Sequence, residues 1–236
     1  EAIQIVVDGK LPKGVYAKDI ILKIIGDIGC DGGTYKSMEF MGSTMKELNM
    51  SGRYTIANMS LEAGCKTALF AADEKTADYF GMDLKDIDWI YPDADAVYAR
   101  RLYYRAEDLT PQIACPQGVD NVHAVSKVEG TPLSEVYIGS CTNGNLEDMA
   151  VAAEILKGKH VAKYMKLVII PASVGIYKEC MRRGYMRIFI EAGAMVAHPC
   201  CGLCCGQPYG LMSDGEAVLG TNNRNFIGRM GTIKSL

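Results

Sequence analysis

Glu135-Val136-Tyr137-Ile138-Gly139-Ser140-Cys141-Thr142-Asn143-Gly144 is a short apolar strand that runs straight into a cysteine loop bounded by glycines. Working outward, Leu146 to Leu156 follows with apolar residues at Leu146, Met149, Ala150 and Ala153, the spacing of a helix face. Leu167-Val168-Ile169-Ile170 is a continuous apolar run, as expected of a buried parallel strand. Val174 to Arg183 reads as a second helix, stopped at Gly184. Ala194-Met195-Val196-Ala197 reads as a third strand and leads into Pro199-Cys200-Cys201-Gly202-Leu203-Cys204-Cys205-Gly206. The order is β-α-β-α-β. Both cysteine loops follow the carboxyl ends of strands, where open parallel sheets place ligands.

A lone cysteine followed by C-x-x-C offers three thiolates, Cys141, Cys201 and Cys204. Three thiolates suit a cubane iron–sulfur cluster that keeps one iron free of protein. Such an iron suits Lewis-acid work on a substrate hydroxyl better than electron transfer. The spacing alone leaves two alternatives open. One is a zinc site with a fourth ligand from Cys200, Cys205 or His198. The other is inert cysteine, either packed as a small apolar residue or paired as a disulfide.

The 236 residues are 49% hydrophobic and 22% charged, enough to build a buried core. A formal net charge of -3 gives no long-range attraction to nucleic acid or to an anionic membrane. The odd count of nine cysteines, four of them within six positions, points to metal-directed thiolates in a reducing cytosol. No apolar run approaches the ~20 residues that span a bilayer. No signal peptide is visible, and the start at Glu1-Ala2-Ile3 without Met reads as the interior of a longer chain.

The first part opens with a strand at Ile3 to Val7, a turn at Gly9 to Pro12, and an apolar helix from Ala17 to Ile25. Gly26, Gly29, Gly32 and Gly33 are expected to break that helix, and they match neither a dinucleotide fingerprint nor a P-loop. A further helix is expected from about Arg53 to Leu69, and a short one from Asp73, whose neighbours have cap chemistry. Proline and glycine punctuate residues 105–134, which places the domain boundary there. The expected division is residues 1–110, a linker 111–134, and residues 135–236.

Three motifs then stand in order: Val136 to Gly144, Pro199 to Cys204, and Thr221-Asn222-Asn223-Arg224-Asn225-Phe226-Ile227-Gly228-Arg229. With Gly9-Lys10-Leu11-Pro12, Ala17 to Ile20, Ile56-Ala57-Asn58-Met59, Glu62-Ala63-Gly64 and Pro171-Ala172-Ser173, they resemble the aconitase superfamily over nearly the whole chain. The large subunits of 3-isopropylmalate dehydratase and homoaconitase resemble it most.

The resemblance implies two α/β domains with parallel or mixed sheets flanked by helices. It implies a [4Fe-4S] cluster on Cys141, Cys201 and Cys204, and predicts that their sulfurs converge. It implies that Arg224 and Arg229 bind substrate carboxylates and that Glu62 is catalytic, a carboxylate able to pass a proton to departing hydroxide. Asn58 and Asn223 match asparagines near the cluster. Outside these contexts, the arginines would read as surface residues, Glu62 as a helix-surface glutamate, and the asparagines as turn or cap residues. His123, His160 and His198 read as ordinary polar side chains. Two residues depart from the family, which usually has a small residue at the position of Cys200 and an aliphatic one at that of Cys205.

The implied function is a hydro-lyase/isomerase large-subunit portion acting on a small hydroxy di- or tricarboxylate, most readily 3-isopropylmalate or homocitrate. Its partner would be a small, swivelling-domain subunit, its location the cytoplasm, with no part for nucleic acid or membrane. The family's N-terminal catalytic motifs and proton-abstracting base are not among these residues, so the chain alone is expected to be inactive. The alternative is a non-catalytic metal-binding fragment of the same fold.

Overall fold

The structure is a computed structural model that describes residues 1–87, 91–206 and 209–236. The chain forms two compact units. One comprises Glu1–Ala114 and Val119–Lys127, the other Cys115–Gly118 and Val128–Leu236. Each is an α/β unit with a four-stranded parallel sheet.

The first unit begins with β1 (Ala2–Asp8), α1 (Ala17–Ile28), β2 (Ser37–Met41), α2 (Ser43–Glu47) and α3 (Met50–Met59). It continues with β3 (Thr67–Phe70), α4 (Glu74–Phe80), β4 (Arg100–Arg105), β5 (Gln112–Ala114) and β6 (Val122–Ala124). The sheet order is β3-β2-β1-β4. Ile3, Ile5 and Val7 of β1 share one buried face, where Ile20, Ile21, Ile24 and Ile25 of α1 join them in the core. The last four residues sit at helical spacing on α1, which is why that segment winds as a helix with one apolar stripe.

Two expectations are corrected here. Gly26 does not break α1, which runs to Ile28 and ends at Gly29, whose N–H bonds Ile25 O at 2.8 Å. Gly26 is small for packing: a Cβ there would come within 2.9 Å of Val122 Cβ. The helix expected from Arg53 to Leu69 is instead α3, a 3-10 turn at Ser60–Ala63, and the strand β3. Gly64 ends the turn in the left-handed region, and Thr67–Phe70 then pairs in parallel with β2. Residues 112–114 and 122–124 form an antiparallel pair within the stretch expected to be a linker.

The second unit contains β7 (Glu135–Gly139), α5 (Ser140–Asn143), α6 (Leu146–Leu156), β8 (Lys166–Ile170), α7 (Val174–Arg182), α8 (Tyr185–Glu191), β9 (Met195–Val196) and β10 (Val218–Gly220). The sheet order is β10-β7-β8-β9. Side chains of β8 feed two cores in alternation. Leu167 and Ile169 cluster with Met149, Cys180 and Phe189. Val168 and Ile170 cluster with Tyr137, Ala197 and Leu203. That second core carries the cysteine turn, because Leu203 lies between Cys201 and Cys204 and is fully buried. Burying one leucine contributes about 2 kcal/mol, enough to hold a short turn against the sheet. No described helix is long and apolar enough to cross a membrane.

Candidate metal centre

Three loops leave the carboxyl ends of β7, β9 and β10, all strands of one parallel sheet. The first carries Cys141. Gly139 ends β7 at φ 118°, and Ser140 follows at φ 67°, a left-handed conformation uncommon for a residue with a side chain. A Cβ at Gly139 would run into the carbonyl of Ile170, so only glycine lets the chain turn there. Cys141 then sits exposed in the single turn of α5. The expected open loop is thus a helical turn. The Ser140 hydroxyl beside it is buried without a hydrogen-bond partner.

The second loop carries Cys201 and Cys204. Gly202–Cys205 is a single 3-10 turn, in which Cys204 N–H donates to Cys201 O at 3.1 Å. The Tyr137 hydroxyl donates to the same Cys201 carbonyl at 2.9 Å. Arg229 Nε donates to the Cys204 carbonyl at 2.7 Å. Cys200 is exposed, and the Cys205 thiol donates to Gly202 O at 3.5 Å within its own turn. His198 stacks on Tyr177 at 5.6 Å between ring centroids, as an ordinary side chain would.

The third loop, Thr221 to Arg229, is tied to the first. Thr221 N–H donates to Tyr137 O at 2.9 Å, and Gly139 N–H donates to Thr221 Oγ1 at 2.9 Å. Asn222 Nδ2 donates to Arg224 O at 2.9 Å, and Asn225 Nδ2 donates to Cys115 O at 2.8 Å. Asn223 is buried and Arg224 exposed. Asn58 and Glu62 belong to the first unit: Asn58 in the last turn of α3, Glu62 buried in the 3-10 turn after it.

The thiols feel one another. Partial desolvation raises the Cys201 thiol above its ordinary value, and the neighbouring Cys205, Cys141 and Cys204 raise it further. Burial pushes the Tyr137 phenol well up, and Cys200, Cys204, Cys201 and Cys205 add to the push, so this hydroxyl stays a donor. The expected convergence of three sulfurs is nevertheless not what the side chains form. Among the described residues, no three His, Cys, Asp or Glu side chains are set to hold a metal ion. Cys141 and Cys201 are both exposed, Cys141 in the turn of α5 and Cys201 at the start of the 3-10 turn.

The donor set still fits an iron–sulfur cluster. All nine cysteines are free thiols, and the three in question leave one end of one sheet. Strain at Ser140 and its orphaned hydroxyl mark the first loop as shaped for something other than packing. Sequence reasoning missed the parts played by Tyr137 and Thr221. Tyr137 reads as a core strand residue, and only its hydroxyl, in a position where phenylalanine would pack as well, hinted at a partner.

Known proteins resemble this chain along nearly its full length. It is 46% identical over 233 residues to 3-isopropylmalate dehydratase large subunit 2 of Archaeoglobus fulgidus, covering 98% of this chain and 56% of that one. It is 45% identical over 227 residues to the 3-isopropylmalate dehydratase large subunit of Nitratidesulfovibrio vulgaris, covering 96% and 54%. It is 45% identical over 232 residues to the probable methanogen homoaconitase large subunit of Methanosarcina mazei, covering 98% and 59%. The chain therefore spans about half the length of the curated relatives it matches. Residues 1–235 match the model of the Aconitase family (aconitate hydratase), and with its cysteine, asparagine and arginine motifs in that order the chain belongs to the aconitase family.

Proposed function

We propose that these residues are the cluster-bearing portion of a hydro-lyase/isomerase large subunit, which removes water from a hydroxy di- or tricarboxylate and restores it with altered regiochemistry. The observation that carries the reading is the exit of Cys141, the Cys201–Cys204 turn and the Arg229 loop from the carboxyl ends of strands of one parallel sheet. The names of the relatives make 3-isopropylmalate and homocitrate the favoured substrates, and a small subunit the favoured partner. The cytoplasm suits such free thiols.

In this reading Cys141, Cys201 and Cys204 hold a [4Fe-4S] cluster. When bound there, the cluster supplies a Lewis acid for the departing hydroxyl. Arg229 is anchored by its Nε–H to the Cys204 carbonyl, which fixes its guanidinium beside the cysteine turn. From there it can orient a substrate carboxylate, with Arg224 of the same loop as a second cationic grip. Asn58 and Asn223 would donate amide hydrogens to cluster sulfur and tune it. The Glu62 carboxylate would carry a proton to the leaving oxygen and take it back on rehydration. Removal of the carbon-bound proton falls to groups outside these 236 residues, so the chain alone should not turn over substrate.

Anaerobic reconstitution with ferrous iron and sulfide tests this. The chain should take up about four irons and show the broad visible absorption of a cubane. Cys141→Ser, Cys201→Ser and Cys204→Ser should each abolish that uptake. A chain that binds zinc but never develops the absorption would overturn the reading. Addition of a small subunit and the remaining large-subunit segment, assayed on isopropylmalate, homocitrate and citrate, would then identify the substrate.

A further inference from the structure

Tyr137 lies in the middle of β7 with 0% exposure, among Val168, Ile170, Ala197 and Leu203. A buried phenol needs a hydrogen-bond partner. This one does not use a side chain: its O–H reaches the Cys201 carbonyl at 2.9 Å. That carbonyl also accepts from Cys204 N at 3.1 Å, the bond that closes the turn and spaces the two cysteines. Tyr137 therefore holds the pivot of the C-x-x-C turn.

The residue after Cys201 fits the hydroxyl. Gly202 has φ +50°, and a Cβ there would lie 2.5 Å from the Tyr137 oxygen and 2.8 Å from Ile170 Cδ1. The phenol oxygen occupies the space that a side chain at position 202 would need. The backbone of Tyr137 is engaged as well. Its carbonyl accepts from Thr221 N, and Gly139 N–H, which precedes Ser140 and Cys141, donates to Thr221 Oγ1. One strand thus governs both cysteine loops, the near one through its backbone and the far one through a single hydroxyl.

We propose that Tyr137 is a positioning residue for the Cys201–Cys204 turn, its O–H···O=C bond presetting that turn for ligation. The proposal rests on reading the turn as the cluster site, but it concerns the metal-free chain first. In the full 236-residue chain, Tyr137→Phe keeps the ring and loses the bond. Without iron, iodoacetamide should label Cys201 and Cys204 about five times faster, the worth of one net hydrogen bond. Buried Cys65 and Cys180 should label at unchanged rates. After reconstitution, iron content should start equal and be lost to a ferrous chelator several-fold faster.

A mutant cycle supplies the signature that simple loss of packing lacks. Gly202→Ala should speed labelling strongly in the native chain and less beside Tyr137→Phe, because the closest atom it strikes, the phenol oxygen at 2.5 Å, is gone while Ile170 Cδ1 at 2.8 Å remains. Native labelling rates in Tyr137→Phe, or strictly additive effects in the cycle, overturn the proposal. If Tyr137→Phe does not fold, Gly202→Ala alone must still expose Cys201 and Cys204, and native rates there overturn it. If no variant takes up iron, the cluster reading fails, while the labelling rates still decide the role of Tyr137.

Discussion

Two carboxylates, one in each unit, meet burial in opposite ways. Asp73 caps α4 in the first unit and faces Arg53, whose side chain is 4% exposed. The pair is two-pronged, with Arg53 Nη1 and Nη2 donating to Asp73 at 2.8 and 2.5 Å, and Thr76 N donating at 3.1 Å. Burial works to raise the Asp73 carboxyl, but the Arg53 and Thr76 hydrogen bonds outweigh it and hold it at about 2. Glu135 opens β7 in the second unit with 0% exposure, and neither carboxyl oxygen has a hydrogen-bond partner. Burial pushes it up to about 7, with Lys166 opposing and Glu216 adding. Desolvation has the same sign at both sites. The partner settles which form is kept, charged at Asp73 and neutral at Glu135 over much of the range below pH 7.

The comparison breaks most visibly if the partner is taken away. Asp73→Ala leaves the Arg53 guanidinium buried without its counter-charge and removes the α4 cap, which together should cost about 3 kcal/mol. Native-state hydrogen exchange should show the loss in amides of α3 and β2 and leave those of β7 and β8 unchanged. A loss below about 1 kcal/mol would mean that the pair gains no more than a surface ion pair does.

At Glu135 the expected effect is smaller and its sign is fixed by linkage. The folded carboxyl titrates above its ordinary value of 4.5, so the folded state keeps a proton that the unfolded chain has already released. The stability contributed by the neutral form is fully present below pH 4.5 and is lost as pH rises through about 7. Asp73 runs the other way, contributing stability above 3.8 that is lost as pH falls to about 2. The two windows do not overlap. Glu135→Gln, neutral at every pH, should therefore flatten the decline between pH 5 and 7. It should also raise the stability of the second unit at pH 8 by about 2 kcal/mol. Exchange of β7 and β8 amides against pH would check it, and an unchanged slope in Glu135→Gln would assign the decline to other groups.

Much of this was legible in the sequence because periodicity is a local signal. The runs at Leu146 to Leu156 and Leu167 to Ile170 became α6 and β8 at almost the expected bounds. The helix boundary after Met59 was not legible. Thr67–Phe70 is apolar enough to continue a helix, and only pairing with β2 makes it a strand. The cysteine spacing pointed to a metal centre, while the asparagines and arginines were legible as site candidates only through the resemblance to the aconitase superfamily, since alone they read as turn, cap or surface residues. The bonds that hold the centre were hidden. Tyr137 with Cys201 spans 64 positions and Gly139 with Thr221 spans 82, and no window along the chain contains such pairs. The orphaned carboxyl of Glu135 was equally hidden, because a glutamate at a strand end ordinarily reaches water.

The smallest effect is expected at the two unusual thiols, and it extends the contrast between partnered and unpartnered groups to the loop that follows β9. Cys200 is exposed and adjoins Cys201, and successive side chains on one backbone diverge, so one cluster corner cannot readily take both. Cys205 already has a partner in the Gly202 carbonyl of its own turn. We propose on these grounds that neither thiol is a ligand. Cys200→Ser and Cys205→Ser should leave reconstituted iron unchanged, within the scatter of the assay. What should change is oxidation, since an extra thiol beside a ligand offers a route to a disulfide or sulfenic acid. After brief exposure to peroxide, the serine variants should recover more iron on re-reduction than the native chain does. Loss of iron in Cys200→Ser, with Cys201→Ser tolerated, would move the ligand by one residue and detach the Tyr137 bond from the cluster.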